Sequence, residues 1–226
     1  MSEIKAVFFD RDNTLTCRNE ETYKKYYELV ESVSNKTFEM DRKRMFEIFS
    51  KIKAKGFNTN TYDNEVEFYK EYYKQVLVEE CGTCNEEVAK QIFDVMWLKD
   101  RVLFDDVVDT FKEIKSRGLK IGIISDTTLS LQKTLEELDV GEYIDCYTSS
   151  KEVGVMKPEP EIYLKAIAKL GLKPEECIYV DDYDEEVIGA LNLGFTGFRI
   201  NRSDEDKRDF DIKSLKEVVN YLNKVR

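Results

Sequence analysis

Val7-Phe8-Phe9-Asp10-Arg11-Asp12-Asn13-Thr14-Leu15-Thr16 is the stretch whose reading decides the fold. Val7, Phe8 and Phe9 form a continuous apolar run rather than an alternating one, the pattern of a strand buried on both faces. Asp10 stands where that strand gives out, and Asp12 follows in the tight turn beyond it. The carboxyl ends of parallel strands are where open α/β sheets place their ligands. Two carboxylates this close repel each other unless a cation or a shared proton compensates. A hard metal ion accounts for the pair, with one carboxylate as nucleophile and the other as acid/base. A strand followed by an ordinary Asx-type turn accounts for it too.

Working outward, strand and helix alternate from Asp105 onward. Val107, Phe111 and Ile114 recur at helical spacing and Gly118 supplies a left-handed stop. Lys120–Ser125 reads as a short buried strand, Leu131, Leu135 and Leu138 as an amphipathic helix, and Ile144 to Thr148 as the next strand. Tyr163, Ile167 and Leu170 mark a helix closed by Gly171. Cys177–Asp181 is a strand ending in acid, Val187 to Leu193 is helical, Phe195 to Ile200 is a strand, and Leu215, Val218, Val219 and Leu222 build a last helix. Strict succession of this kind implies a Rossmann-like parallel sheet with helices on both faces, joined by right-handed crossovers. Residues 19–98 behave differently. Tyr23/Tyr26/Tyr27/Val30, Met45/Ile48/Phe49/Ile52, Val66/Tyr69/Tyr73/Val76 and Val88/Ile92/Val95 are helical stripes with no strand between them, which predicts an inserted helical bundle. The expected organisation is an α/β core of residues 1–18 and 99–226 with an α-helical cap of residues 19–98.

The 226 residues are 42% hydrophobic and 36% charged, which predicts a globular rather than a disordered chain. A net charge of −11 disfavours a nucleic-acid backbone or an anionic membrane surface as the main partner. No apolar stretch approaches a membrane span and no signal-peptide pattern opens the chain, so a cytoplasmic protein is expected. The five cysteines (17, 81, 84, 146, 177) are scattered and odd in number, as free thiols in a reducing compartment would be. Cys81-Gly-Thr-Cys84 has metal-ligand spacing, but the chain has no histidine and no second such pair. A helix terminus carrying two thiols is the simpler reading.

Three later stations join Asp10 and Asp12. Ser125-Asp126-Thr127-Thr128 closes a strand and opens a helix, giving either an anion site or a plain N-cap. Lys157 lies between two elements in Gly154-Val155-Met156-Lys157-Pro158-Glu159-Pro160. There two prolines would aim its ammonium, the alternative being a solvated lysine. Asp181-Asp182 ends another strand ahead of Asp184, Glu185 and Glu186, which suits a cation or merely an acidic helix start. All of these fall at strand ends of one sheet. Their order, acid, hydroxyl, cation, acid, suits phosphoryl transfer through an aspartate.

With those residues in view, the chain resembles the haloacid dehalogenase superfamily, in its phosphatase branch with a helical cap after the first strand. The four motifs are Asp10-Arg11-Asp12-Asn13-Thr14-Leu15, Ile124-Ser125-Asp126, Lys157-Pro158 and Asp181-Asp182 through Glu186-Val187-Ile188-Gly189-Ala190. The resemblance implies that Asp10 attacks phosphorus to give an aspartyl phosphate. Asp12 would serve as general acid and then base, its backbone carbonyl also ligating Mg2+. It places Ser125, Asp126 and Lys157 around the phosphoryl group, and Asp10, Asp12 and Asp181 around the metal, with Asp182 and Glu186 behind them. Asp12 also favours phosphate esters over carbon–halogen bonds, since the dehalogenase branch lacks that acid. Four residues depart from the usual pattern: Asp126 for asparagine, Val180 for glycine, Asp182 for serine or asparagine, and Glu186 for aspartate.

The function that follows is magnesium-dependent hydrolysis of a small-metabolite phosphomonoester, of the sugar phosphate or nucleotide class, by a monomer or homodimer. A phosphomutase of the same family is one alternative. A metal-binding member without turnover is another, with Asp126 as its support. A receiver-like signalling protein is a third, although receivers are shorter, lack the cap and lack the second acid. Arg11 and Arg18 flank the first motif as candidates for contact with a substrate carboxylate or phosphate. Seven tyrosines (23, 26, 27, 62, 69, 72, 73) crowd the cap, where they either line a pocket or, as we expect, form its core and rim.

Overall fold

The computed structural model describes residues 3–202 and 208–225. In chain order β1 (Ala6–Phe9) and β2 (Thr16–Arg18) lead into α1 (Glu20–Ser34), α2 (Arg42–Ala54), α3 (Tyr62–Cys81) and α4 (Glu86–Met96). The chain returns through β3 (Arg101–Leu103) to α5 (Val107–Ser116), β4 (Lys120–Ser125), α6 (Leu131–Glu137), β5 (Cys146–Ser149), α7 (Ser150–Val153) and α8 (Pro160–Leu170). It closes with β6 (Cys177–Asp181), α9 (Asp184–Leu193), β7 (Thr196–Ile200), β8 (Asp211–Ile212) and α10 (Lys216–Lys224). Two compact units result, one from the chain through Cys17 together with Leu103 onward, the other Arg18–Val102.

The first unit is a six-stranded parallel sheet in the order β5-β4-β1-β6-β7-β8. β1 lies near its middle, which explains why its four residues are all buried. Successive side chains of a strand point to opposite faces. Val7 and Phe9 therefore join Phe111, Ile114, Ile123, Val180 and Val218 on one face. Ala6 and Phe8 join Ile124, Tyr163, Ile167, Tyr179 and Ala190 on the other. Each such buried side chain contributes roughly 1.5–3 kcal/mol. Gly122, opposite Phe8 in β4, is small for a reason: a Cβ there would lie 2.3 Å from the Phe8 ring.

The second unit is the helical bundle. Each of its four helices opens on a side chain that accepts an amide of the first turn, namely Asn19, Asp41, Thr61 and Asn85. Such a cap contributes about 1 kcal/mol. The core gathers Tyr26, Val30, Ile48, Ile52, Phe68, Tyr72, Tyr73, Val76 and Ile92, with Tyr23, Tyr27 and Tyr69 packed against it. Six of the seven tyrosines are thus core or its rim. Tyr62 instead lines an open groove of about 900 Å³ with Val66, Phe93 and Trp97. Cys81 is the last residue of α3, and Gly82 turns the chain in the left-handed region at φ 74°.

Several boundaries differ from the sequence reading. β5 starts at Cys146 rather than Ile144: Asp145 still donates its amide to the Ile121 carbonyl at 2.7 Å, but the Ile121 amide is taken by its side chain, which acts as a clasp. Its carboxylate accepts the Ile121 amide at 2.8 Å and pairs with Lys115 and Lys120 at 2.7 and 2.9 Å. α9 begins at Asp184, three residues ahead of its first apolar position. β2, β3 and β8 are two or three residues each, too short for an alternation to register. Among the described residues no helix is long and apolar enough to cross a membrane.

Candidate active site

The register of the central strands builds the site. Phe9 is level with Val180 in the β1/β6 pairing, so the next residues, Asp10 and Asp181, sit side by side on adjacent strands. The Asp10 amide donates to the Val180 carbonyl at 2.9 Å and keeps that alignment one residue past the strand. Adjacent strands are about 4.8 Å apart, so the two carboxylates share one small volume. Asp182 brings a third, and one oxygen from each of Asp10, Asp181 and Asp182 lies within 4.8 Å of the others.

Lys157 enters this volume from the loop before α8. Its ammonium lies 2.7 Å from Asp10 Oδ1, 2.8 Å from Asp181 Oδ2 and 2.5 Å from Glu186 Oε2. The longer side chain of Glu186, one of the departures from the family pattern, thus reaches the lysine. Gly189 permits the approach of α9 to this loop, since a Cβ there would lie 2.8 Å from Pro158 Cβ. Tyr163, on α8, donates to the Glu186 carbonyl at 2.8 Å.

One ammonium faces three carboxylates, Asp10 and Asp181 buried and Glu186 partly so, and full ionisation leaves these four groups with two negative charges in excess. Asp10 and Glu186 shift in the direction this imbalance requires. Burial pushes the Asp10 carboxyl up to about 8 against the pull of Lys157, and the Asp181 and Asp12 charges push the same way. Burial and the Asp181 charge push Glu186 up to about 8 as well, and Asp182 up to about 6. Burial alone would lower Lys157, but Asp10, Asp181 and Glu186 outweigh it and hold the ammonium well above its usual range. Hard oxygen donors with an excess of two charges fit a divalent cation such as Mg2+, which would invert this local pKa pattern.

A stability prediction follows directly. Asp10 and Glu186 keep protons in the folded protein that the unfolded chain sheds above about pH 4.5. The folded state then binds more protons than the unfolded one, and stability falls as pH rises. Without divalent ions the melting temperature is expected to decline between about pH 5 and 8, and millimolar Mg2+ to restore it. Scanning fluorimetry with EDTA or Mg2+ across that range checks it. A rise with pH in EDTA would contradict the charge imbalance. The carboxylates whose pKa is lowered, Asp106, Asp145 and Asp211 with Glu21, Glu79 and Glu176, lose their contribution only as pH falls below about 5 and leave this window alone.

The remaining sequence candidates fall around this cluster. Asp12 lies in the turn after β1, where Asn13 takes a left-handed φ of 60° and the Leu15 and Thr16 amides bond the Arg11 carbonyl. Asparagine tolerates that conformation better than most residues. The Asp12 carboxylate is gripped by Arg11 through two bonds of 2.9 Å. Arg11, a candidate for substrate contact, therefore spends its guanidinium on Asp12. Arg18 in turn lies over the Tyr23 ring at 3.8 Å. Ser125 is buried at the end of β4. Asp126, half-buried just past β4, accepts the Lys157 amide at 3.1 Å. Burial raises its pKa against the pull of Lys157. Asn13 donates to Asp182 at 3.2 Å. The contact that sequence reasoning missed is Tyr179, whose hydroxyl donates to Asp181 Oδ2. Strand periodicity, which puts residues 179 and 181 on one face, is the signal that was available.

Residues 4–194 match the family of haloacid dehalogenase-like hydrolases, and the chain belongs to that family. It is 27% identical over 235 residues to a glyceraldehyde 3-phosphate phosphatase of Methanocaldococcus jannaschii, covering 99% of both chains. It is 29% identical over 137 residues to (S)-2-haloacid dehalogenase 4A of Burkholderia cepacia, covering 57% of this chain and 59% of the relative. A crystal structure of a phosphatase of the same superfamily from Thermococcus onnurineus superposes with a TM-score of 0.65 at 22% identity, over 97% of this chain and 98% of that one. The fold, an α/β core with a helical insertion, is that of the family.

Proposed function

We infer that this hydrolase is a Mg2+-dependent phosphatase of a small phosphomonoester, working through a phosphoryl group carried on Asp10. The observation that carries the reading is the alignment of Asp10 with Asp181 under the Lys157 ammonium. In the first half-reaction an Asp10 oxygen attacks phosphorus and the ester P–O bond breaks. Asp12 gives its proton to the departing oxygen. In the second, water attacks phosphorus while the Asp12 carboxylate takes its proton, and the P–O bond to Asp10 breaks to release phosphate and restore the carboxylate. Lys157 keeps the Asp10 carboxylate oriented and offsets charge on the phosphoryl oxygens. Asp10, Asp181 and Asp182 would hold Mg2+, which supplies charge neutralisation at those oxygens. Acid–base help of the Asp12 kind is worth about 10²–10⁴ in rate.

The full-length similarity to a triose phosphate phosphatase supports a small phosphorylated sugar over a nucleotide. The test is phosphate release from triose, pentose and hexose phosphates, nucleoside monophosphates and p-nitrophenyl phosphate. Release is expected with Mg2+ from at least one sugar phosphate and none with EDTA. No release from any ester by protein that still binds divalent cations would overturn the reading.

A further inference from the structure

We propose that Tyr179 is a positioning residue that fixes the orientation in which Asp181 meets a divalent cation. The inference rests on the reading of Asp10, Asp181 and Asp182 as a cation site. Tyr179 is fully buried in the middle of β6, among Phe8, Ile124, Tyr163 and Phe195. The neighbouring positions on that face, Ala6, Phe8 and Cys177, are apolar, and packing alone would be met by phenylalanine here as well. A buried phenol hydroxyl needs a hydrogen-bond partner, and this one finds it on Asp181 Oδ2. The ring cannot easily turn away, because Tyr163 packs edge-on against it with centroids 5.2 Å apart.

Asp181 is held at both oxygens. Oδ2 accepts the Tyr179 hydroxyl and, at 2.8 Å, the Lys157 ammonium, while Oδ1 accepts the Tyr183 amide at 2.9 Å. These donors set the plane of the carboxylate before any ion arrives. Lys157 is a divided partner, engaged also with Asp10 and Glu186. Among the described residues the Tyr179 hydroxyl bonds no second carboxylate, so its hold on Asp181 is undivided. Removing its hydroxyl leaves Oδ2 to the divided Lys157 alone, which loosens the carboxylate, and a cation must then pay for that ordering on binding. Supporting partners of metal ligands commonly govern affinity by about tenfold or more.

Tyr179→Phe tests the proposal, with Tyr163→Phe as control, because the Tyr163 hydroxyl bonds the Glu186 carbonyl and not a cation ligand. Mn2+ binding is read by electron paramagnetic resonance and the Mg2+ activation constant by steady-state kinetics. Melting temperature in EDTA reports folding. Tyr179→Phe is expected to weaken Mn2+ binding and raise the Mg2+ activation constant by about tenfold, with kcat at saturating Mg2+ within about twofold of the parent. Tyr163→Phe should leave Mn2+ affinity unchanged. A folded Tyr179→Phe that binds Mn2+ as the parent does, or a Tyr163→Phe that weakens equally, overturns the role of Tyr179. A parent that binds no Mn2+ overturns the cation site itself and this inference with it.

Discussion

Asp10→Asn is expected to lose at least about 10⁴-fold in phosphatase activity while melting at a higher temperature than the parent in EDTA. The activity loss follows because a neutral amide cannot take the phosphoryl group as the carboxylate does. The stability gain follows from charge. Asp10 is buried, with a carboxyl pushed up to about 8 by that burial and by Asp181 and Asp12 even though Lys157 stands 2.7 Å away. At neutral pH its presence therefore destabilises the cation-free fold, and the amide relieves on the order of 1–3 kcal/mol. Asparagine keeps an oxygen for the Lys157 ammonium, so the geometry survives. A few degrees of added melting temperature in EDTA, shrinking or reversing with Mg2+, is the expected pattern. Wild-type activity in Asp10→Asn would remove the nucleophile from the account. A lower melting temperature in EDTA would remove the charge argument.

Lys157→Met is expected to have the largest effect on stability. The substitution keeps much of the apolar stem but leaves the buried Asp10 and Asp181 and the partly buried Glu186 with no ammonium among them. Uncompensated buried charge of this kind costs about 3–5 kcal/mol, which for a chain of this size is on the order of 10 °C. Two remedies should act through the same charge. Lowering the pH to about 5 protonates Asp10 and Glu186, and Mg2+ offsets the charge of the cluster, so both are expected to recover part of the loss. Activity stays absent in either case, because the phosphoryl oxygens have lost their cation. Thermal melts at pH 5 and 8, with EDTA or Mg2+, separate these effects. Equal melting temperatures for parent and Lys157→Met in EDTA at pH 8 would show that the cluster is not under electrostatic load.

Much of this architecture is legible in the chain because the relevant signals are local. A run of four buried residues in β1 is visible as unbroken apolarity, and a strand with two covered faces has few other forms. The cap helices announce themselves by period and by Asn19, Asp41, Thr61 and Asn85 at their starts. Asp10, Lys157 and Asp181 can be named from spacing, but spacing says nothing of how their charges balance. That balance depends on pairings between residues 147 and 24 positions apart, which only the register of β1 against β6 determines. Asp126 shows the limit most clearly. Its position at the end of β4 suits an anion site, yet its carboxylate faces the Lys157 amide, a contact set by how the loop before α8 folds back. Arg11 is similar: its place beside Asp12 suggests substrate contact, while its fork closes on Asp12 itself. Tyr179 could have been placed on the face of Asp181 by alternation alone, but not its hydroxyl on that carboxylate.

The central claim is that Asp10 carries the phosphoryl group between substrate and water. Rapid acid quench of the enzyme during turnover of a sugar phosphate with Mg2+, followed by peptide mass mapping, measures this directly. One added phosphoryl group is expected on the peptide containing Asp10, and none in Asp10→Asn. Continued turnover with the phosphoryl group on another residue, or with no modified peptide and an active Asp10→Asn, would contradict it.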